Sequence, residues 1–362
     1  DITLLPQEIA NIFIPFKSKI NPHAEFFIHL FATLKEDEKG LKRGQIIAQY
    51  ECSINKRESP HISTISNGEI SKKMNGKEIL ISGSNFQITI NTESATITKY
   101  VVDGTEFIKQ GGHFNFWRAP VDNDYGANTP VKYNQWKNAG RNNTNFSYNM
   151  NQKNKGEINL NFTTIILNGD AQLVKRYEIY ANGRIHISNQ LTAIKGEHSP
   201  IYRFGNQFEI PDYFSQCQWY GNGPGESYAD RKNAVMVGKY SSSIDNMHTN
   251  YARPQENGNR SDTRWVKFSN GKGSSIQFIS DKLFDFSASH FTQEDLDSGP
   301  DKTKTQKHGK LLVPRKNVFI NIDGFSSGVG CVNSWGALPR EEYQLPYQNY
   351  NYNYWIIPSY PK

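Results

Sequence analysis

The sequence is poor in sulfur, in long apolar runs and in concentrated charge. Its three cysteines, Cys52, Cys217 and Cys331, are odd in number and far apart in 362 residues, which argues against a disulfide framework or a paired-cysteine metal site; they read as small buried apolar residues. No apolar stretch approaches the ~20 residues that a bilayer-spanning helix needs, and no signal-peptide pattern opens the chain. Lysine and arginine outnumber aspartate and glutamate by 41 to 35, a net charge of +6, but they are scattered, so neither nucleic acid nor membrane is an expected partner. The nearest approach to a basic run, Lys302 to His308 beside Gly299-Pro300, reads as a solvated loop. Helical patterning is also scarce: one short candidate opens at Thr129-Pro130, with Thr as cap and Pro in the first turn, and carries Val131, Tyr133 and Trp136.

What the chain does have is aromatic residues, 13% of the total, within a polar composition of mean hydropathy −0.68, the profile of tyrosine- and phenylalanine-rich strands under a hydrophilic surface. Strict alternation runs through Phe26, Ile28, Leu30, Ala32 and Leu34, through Phe86, Ile88 and Ile90, through Ile158, Leu160 and Phe162, and through Val318, Ile320 and Ile322. Period two over such lengths predicts half-buried strands. Asn67-Gly68, Asn75-Gly76, Asp103-Gly104, Asn168-Gly169, Asn182-Gly183, Asn257-Gly258 and Asn270-Gly271 punctuate the runs, and such pairs take the positive φ values of tight hairpins. The expected fold class is all-β and antiparallel, a large sandwich or barrel. The length suggests a large domain plus a small one. A polar stretch holding Pro60 and several serines reads as a connection, which gives a small domain at 1–56, a linker at 57–76 and a large domain at 77–362.

Four segments are built differently, each crowding aromatics, glycines, prolines and charges into a short span. They are Phe116-Trp117-Arg118-Ala119-Pro120-Val121-Asp122-Asn123-Asp124-Tyr125-Gly126, then Trp219 to Arg231 around Gly221-Asn222-Gly223-Pro224-Gly225, then Tyr251 to Arg260, and finally Asn321 to Phe325 followed by Gly328, Gly330 and Asn333-Ser334-Trp335. In order and spacing they resemble the small chain, or C-terminal part, of the large bacterial β-galactosidases of glycoside hydrolase family 2. The stretch from Leu5-Pro6-Gln7-Glu8 to Tyr50-Glu51 resembles the end of the small immunoglobulin-like β-sandwich that precedes the small chain. The resemblance implies a galactose mutarotase-like supersandwich behind that truncated sandwich. It also implies an upstream catalytic barrel that carries both catalytic glutamates and the divalent (Mg or Ca) and monovalent cations common in the family. With Asp1 in place of an initiator Met, the chain reads as a fragment expected to hydrolyse nothing alone. The implied partners are a galactoside and the barrel, an oligomer is possible, and the compartment stays open between cytoplasm and periplasm.

Retaining glycoside hydrolysis needs two carboxylates about 5 to 5.5 Å apart. Asp122, Asp124, Glu226 and Glu256 are candidates by type, but each sits in a separate motif or is not paired by spacing, so none is assigned a catalytic role. Arg118, Asp122, Asn123 and Asp124 read either as a loop facing the pocket or barrel, or as a self-bonded loop in which Arg118 neutralises a carboxylate and Asp and Asn accept backbone N–H groups. An oxygen-only cation site is a third reading, although the spacing completes no EF-hand. The glycine-rich loop lacks the Lys-Ser/Thr pair of a phosphate site and reads as a tight β-connection anchored by Glu226 and Arg231. The resemblance places Trp335 at the family's active-site tryptophan, a flat apolar platform for the C–H face of a pyranose; a core tryptophan is the alternative. It also places a mobile loop of the family at the turn Tyr180-Ala181-Asn182-Gly183. Two rival functions use the same residues: a mutarotase-like epimerase recruiting His290, His308, Glu226 and Glu256, and an independent carbohydrate-binding module built on Trp335 and nearby tyrosines.

Overall fold

The computed structural model describes residues 4–15, 20–21, 23–64, 68–305, 308–330, 333 and 335–361. Asn67, Gln306, Lys307, Cys331 and Ser334 lie outside the described residues. The chain separates into two units, 1–58 and 59–362.

The regular structure described in the first unit is a single hairpin, β1 (Phe27–Thr33) and β2 (Ile46–Ser53), paired antiparallel from Phe27 opposite Ser53 to Ala32 opposite Ala48. The half-buried alternation expected here is not found: Leu30, Phe31, Ile46, Ile47 and Tyr50 are all exposed, because no second layer among the unit's described residues covers either face. Cys52, expected to be buried, is exposed for the same reason. This hairpin by itself does not show the truncated immunoglobulin-like sandwich that the resemblance implies.

The second unit contains β3 (Ser71–Asn75), β4 (Glu78–Ser82), β5 (Phe86–Asn91), β6 (Thr96–Val102), β7 (Thr105–Ile108), β8 (Gln110–Asn115), β9 (Ser147–Asn154), β10 (Glu157–Ile166) and β11 (Ala171–Tyr180). It continues with β12 (Ile185–Ala193), β13 (Arg203–Ile210), β14 (Gln216–Gly223), β15 (Met236–Ser243), β16 (Arg260–Ser269), β17 (Ser275–Ser289), β18 (Val318–Ser326) and β19 (Tyr350–Ser359). Every pairing is antiparallel, so the all-β antiparallel expectation holds. β3, within the stretch read as a linker, pairs with β4 along its whole length.

The long strand β17 joins two sheets. Its first half pairs with β19, continuing through β12, β11 and β10 to β9. Its second half pairs with β18, continuing through β13 to β8. The core lies between the sheets, where Phe208 of β13 meets Phe278 of β17 at 5.2 Å and Phe204 meets Tyr352 of β19 at 5.2 Å between ring centroids. The turn chemistry does what the sequence indicated: Asp103 and Gly104, at φ 48° and 72°, reverse the chain from β6 to β7, and Asn168 and Gly169, at 55° and 105°, from β10 to β11. Asn257-Gly258 departs from this pattern. It makes no hairpin and lies in the loop before β16, where the Gly258 N–H donates to Glu226 Oε2 at 2.8 Å.

One lysine is out of place in this core. Lys175 of β11 is fully buried, its Nζ 4.2 Å from the centre of the Phe114 ring and donating to the carbonyls of Gly112 and Ala95. Burial pushes its ammonium down to about 7. A depressed lysine contributes stability that is present above its unfolded value of 10.5 and is lost as pH falls through about 7. Lys175→Met leaves both carbonyls with a donor, since Asn206 Nδ2 also reaches Gly112 O at 3.4 Å and the Tyr177 hydroxyl reaches Ala95 O at 2.9 Å. The variant should therefore gain on the wild type as pH is lowered from about 10 to 7. Urea midpoints of the two proteins across that range check this; a difference that does not change with pH contradicts it.

Candidate functional site

Between β8 and β9 the chain forms three short helices, α1 (Asp122–Gly126), α2 (Thr129–Lys132) and α3 (Gln135–Ala139). α1 was expected to be a loop. Asp124, its third residue, accepts the Val121 N–H at 2.9 Å and closes the first turn. The expected helix at Thr129-Pro130 exists but is capped by Asn128 in the left-handed region; Thr129 is its first residue, and its hydroxyl contacts Asp124 O at 3.1 Å and the Tyr202 hydroxyl at 2.6 Å. Trp136 and Tyr133 are buried, and Val131 is exposed.

Arg118 sits under α1, 2% exposed, with a two-pronged contact to Asp124: Nε to Oδ2 at 3.2 Å and Nη2 to Oδ1 at 2.9 Å. Its Nη1 donates to the carbonyls of Ser327 at 3.3 Å and Gly328 at 2.8 Å, and its guanidinium lies 4.6 Å over the Tyr202 ring. Burial opposes the charge, yet Asp124 outweighs it and raises the guanidinium further. Thus the self-bonded reading describes Arg118 and Asp124, with the addition that Arg118 also holds the start of the segment that leads to Trp335.

Asp122 points elsewhere. It receives Arg253 at 3.1 Å and Lys302 at 3.0 Å; burial works against its charge, but these two cations hold its carboxyl below the usual range. Because Asp122 and Asp124 answer to different cations, they do not form one oxygen cluster, and among the described residues no group of three or more His, Cys, Asp or Glu is placed to hold a metal. Lys302, read as part of a solvated loop, belongs to this network and stands 5.5 Å from the centre of the Tyr125 ring.

The Trp335 segment rests on α1. The Trp335 and Ala337 N–H groups both donate to Asn333 Oδ1 at 3.0 Å. A Cβ on Gly126 would lie 2.4 Å from the Trp335 carbonyl oxygen, and one on Gly336, at φ +123°, would lie 2.5 Å from the Gly126 carbonyl carbon. These two glycines permit two backbones to touch. Farther back, Asp230 accepts the N–H groups of Val329 at 3.0 Å and Gly330 at 2.9 Å. Trp335 itself is 77% exposed, so it is not a core residue.

All four unusual sequence segments meet at one cleft of about 510 Å³. Asp122 and Asn123 come from the first, Tyr228 and Arg231 from the second, Tyr251, Gln255 and Glu256 from the third, and Val329, Gly330 and Asn333 from the last, with Lys302 closing the side. Arg118 and Asp124 are buried; Trp335 does not line the cleft but is tied to its wall residue Asn333 through its backbone N–H. The Tyr228 hydroxyl is buried without a hydrogen-bond partner among the described residues. The carboxylates are not free: Glu256 is bound by Arg203 at 2.6 Å, and Glu226 is held by Arg231, by the Tyr251 hydroxyl and by the Gly258 N–H. Glu226 and Arg231 thus anchor the glycine-rich connection as a pair. Behind them Asp323, fully buried against Arg203 at 3.1 Å, is pushed up to about 7 by burial, with Arg203 pulling the other way.

His290 and His308 do not line the cleft; His290 contacts Asn317 O and Asp245, and His308 accepts the Lys310 N–H. The turn Tyr180–Gly183 is a tight link between β11 and β12, tied to Gly156 by Ala181 N–H and to the Tyr100 hydroxyl by Gly183 O, and none of these residues lines the cleft. Arg203 gives no signal in the sequence beyond its residue type; Asp230 lies inside the second unusual segment without a role of its own, and Lys302, read as solvated, meets Asp122 from 180 positions away.

The family model for the β-galactosidase small chain matches residues 82–356, and the chain belongs to that family. It is 26% identical over 363 residues to a β-galactosidase of Halalkalibacterium halodurans, covering 95% of this chain and 34% of that protein. It is 28% identical over 267 residues to one of Streptococcus thermophilus, covering 73% of this chain and 25% of that protein. The chain thus spans about a third or less of the length of these curated relatives. Among solved structures it is similar to a galactose 1-epimerase from Lactobacillus acidophilus, with TM-score 0.49 and 10% identity over 82% of this chain and 99% of that one.

Proposed function

We propose that the chain is the C-terminal part of a retaining β-galactosidase acting on terminal β-D-galactosides. In this reading it completes the sugar site with Trp335 and supports an upstream barrel that supplies both catalytic glutamates and the cations. The observation that carries the reading is the convergence of four sequence segments, spread from Val121 to Asn333, on one cleft, with the exposed Trp335 two residues beyond its wall residue Asn333. An exposed tryptophan on a braced loop is costly for a soluble surface unless something covers it, and a pyranose offers a matching apolar face.

The carboxylates that line this cleft are each held by cations and not by one another: Asp122 by Arg253 and Lys302, Glu256 by Arg203, and Glu226 by Arg231. The purified 362-residue chain is therefore expected to release no chromophore from an aryl β-galactoside, because the loss of both acid/base and nucleophilic groups removes the chemical step and not only affinity. Turnover that co-purifies with the chain and is abolished by Glu256→Gln would overturn this. The epimerase reading requires His290 or His308 to work with Glu226 or Glu256, and that arrangement is not assembled at the cleft.

A further inference from the structure

A second cavity lies away from the Trp335 cleft. β8, β13, β18 and β17 are successive neighbours, and their registers set His113, Gln207, Asn321 and Ser287 in one row across the sheet: His113 opposite Gln207, Gln207 opposite Asn321, Asn321 opposite Ser287. The intervening residues Phe208, Ile320 and Phe286 go to the core. A polar row on the outer face of a sandwich sheet is ordinarily left to solvent. Here the segment from Phe291 to Leu296 lies over it and encloses about 100 Å³. That cover is pinned by reciprocal bonds between Thr292 and Asp295, and Asp295 is also held by Arg315 at 2.6 Å. The two cavities have one wall residue in common, Glu256, whose carboxylate is committed to Arg203.

The polar groups form a connected set with one gap. Gln293 Oε1 accepts from Asn115 Nδ2 at 3.0 Å and from Gln207 Nε2 at 3.4 Å, and Asn321 Nδ2 donates to Ser287 Oγ at 2.9 Å. The Gln207 amide oxygen is buried and has no donor among the described residues. Buried polar atoms are nearly always satisfied, so a buried acceptor at a cavity wall marks a position where a donor is wanted. Two of the acidic groups around the cavity are met by arginines, Glu294 by Arg141 and Glu256 by Arg203, and the Glu209 carboxylate accepts Asn317 Nδ2 at 2.5 Å. His113 is neutral, since burial, with Lys175 and Arg141 nearby, pulls it down to about 4. Phe291, Phe319 and Leu296 supply apolar wall.

Neutral amides and a hydroxyl on one side and aromatic faces on the other suit a molecule with hydroxyl groups and an apolar C–H face, without charge. We propose that this cavity is a second sugar site, taking a single neutral pyranose whose hydroxyl donates to Gln207 Oε1, separate from the cleft beside Trp335.

Saturation-transfer NMR on the 362-residue chain with D-galactose at ~50 mM, a concentration that detects millimolar binding, tests this apart from the Trp335 reading. Transfer to galactose protons is expected in the wild type, is expected to persist in Trp335→Ala, and should fall roughly five-fold or more, the loss of one to two hydrogen bonds, in Gln207→Leu and Gln293→Ala. Gln293 lies on the cover and not in a strand, so its variant keeps the test valid if Gln207→Leu fails to fold; circular dichroism and melting temperature identify folded variants. Absence of transfer in the wild type overturns the proposal. So does transfer that Trp335→Ala abolishes, or transfer that folded Gln293→Ala leaves unchanged.

Discussion

Arg118→Ala is expected to lower the stability of the chain by about 3–5 kcal/mol, the range found when one partner of a buried ion pair is removed. The side chain is a clamp with three jaws: a two-pronged contact to Asp124, two donations to the carbonyls of Ser327 and Gly328, and a face over Tyr202. Alanine strands the Asp124 carboxylate, 3% exposed, without its cation and leaves both carbonyls short of a donor. Arg118→Lys should recover part of the loss, because it restores charge but not the planar fork that reaches carboxylate and carbonyls together. Urea titrations of the three proteins measure it. A loss below about 1 kcal/mol for the alanine variant would mean that Asp124 is solvated or re-paired, contrary to the burial seen here.

The second large effect is expected at Trp335, and it separates binding from folding. In a full-length enzyme that includes the barrel, Trp335→Ala should weaken galactoside binding by on the order of 1–3 kcal/mol, by analogy with other aromatic stacking platforms. Trp335→Phe should weaken it less, since part of the apolar face survives. The Michaelis constant should rise clearly and turnover change less, because the platform contacts sugar already in the ground-state complex. Melting temperature should stay within a degree or two of the wild type for both variants, since a side chain 77% exposed leaves no cavity when truncated. A fall in melting temperature with unchanged Michaelis constants would make Trp335 a structural residue.

The strands were legible in the sequence because antiparallel pairing imprints itself locally. Val318, Ile320 and Ile322 alternate with outward residues, and Asp103-Gly104 and Asn168-Gly169 supply the positive φ that their hairpins need. The same logic failed at β1, where alternation was read correctly as strand but burial depends on a second layer that a local pattern cannot report. α1 was missed for another reason. Asp122-Asn123-Asp124 is loop chemistry by composition, and only the bond from Asp124 back to Val121 N–H converts it into a helical turn.

The four segments are visible as unusual in the sequence, but their meeting at one cleft depends on contacts that span about a hundred residues or more. Lys302 reaches Asp122, Arg253 reaches Asp122, and Asp230 holds the backbone of Val329 and Gly330, none of which spacing can reveal. Gly336 shows the limit most plainly, because a glycine needed for close approach to Gly126 looks in sequence like one needed for flexibility.

The central claim is that this chain lends an aromatic face to a galactoside whose chemistry is performed by other residues. A crystal structure of the full-length enzyme with an inert galactoside in its catalytic pocket tests that most directly. The Trp335 indole is expected to lie in van der Waals contact with the C–H face of the bound sugar, with both carboxylates flanking the glycosidic oxygen contributed from outside these 362 residues. A sugar flanked by Glu226, Glu256, Asp122 or Asp124, or one bound out of reach of Trp335, would contradict it.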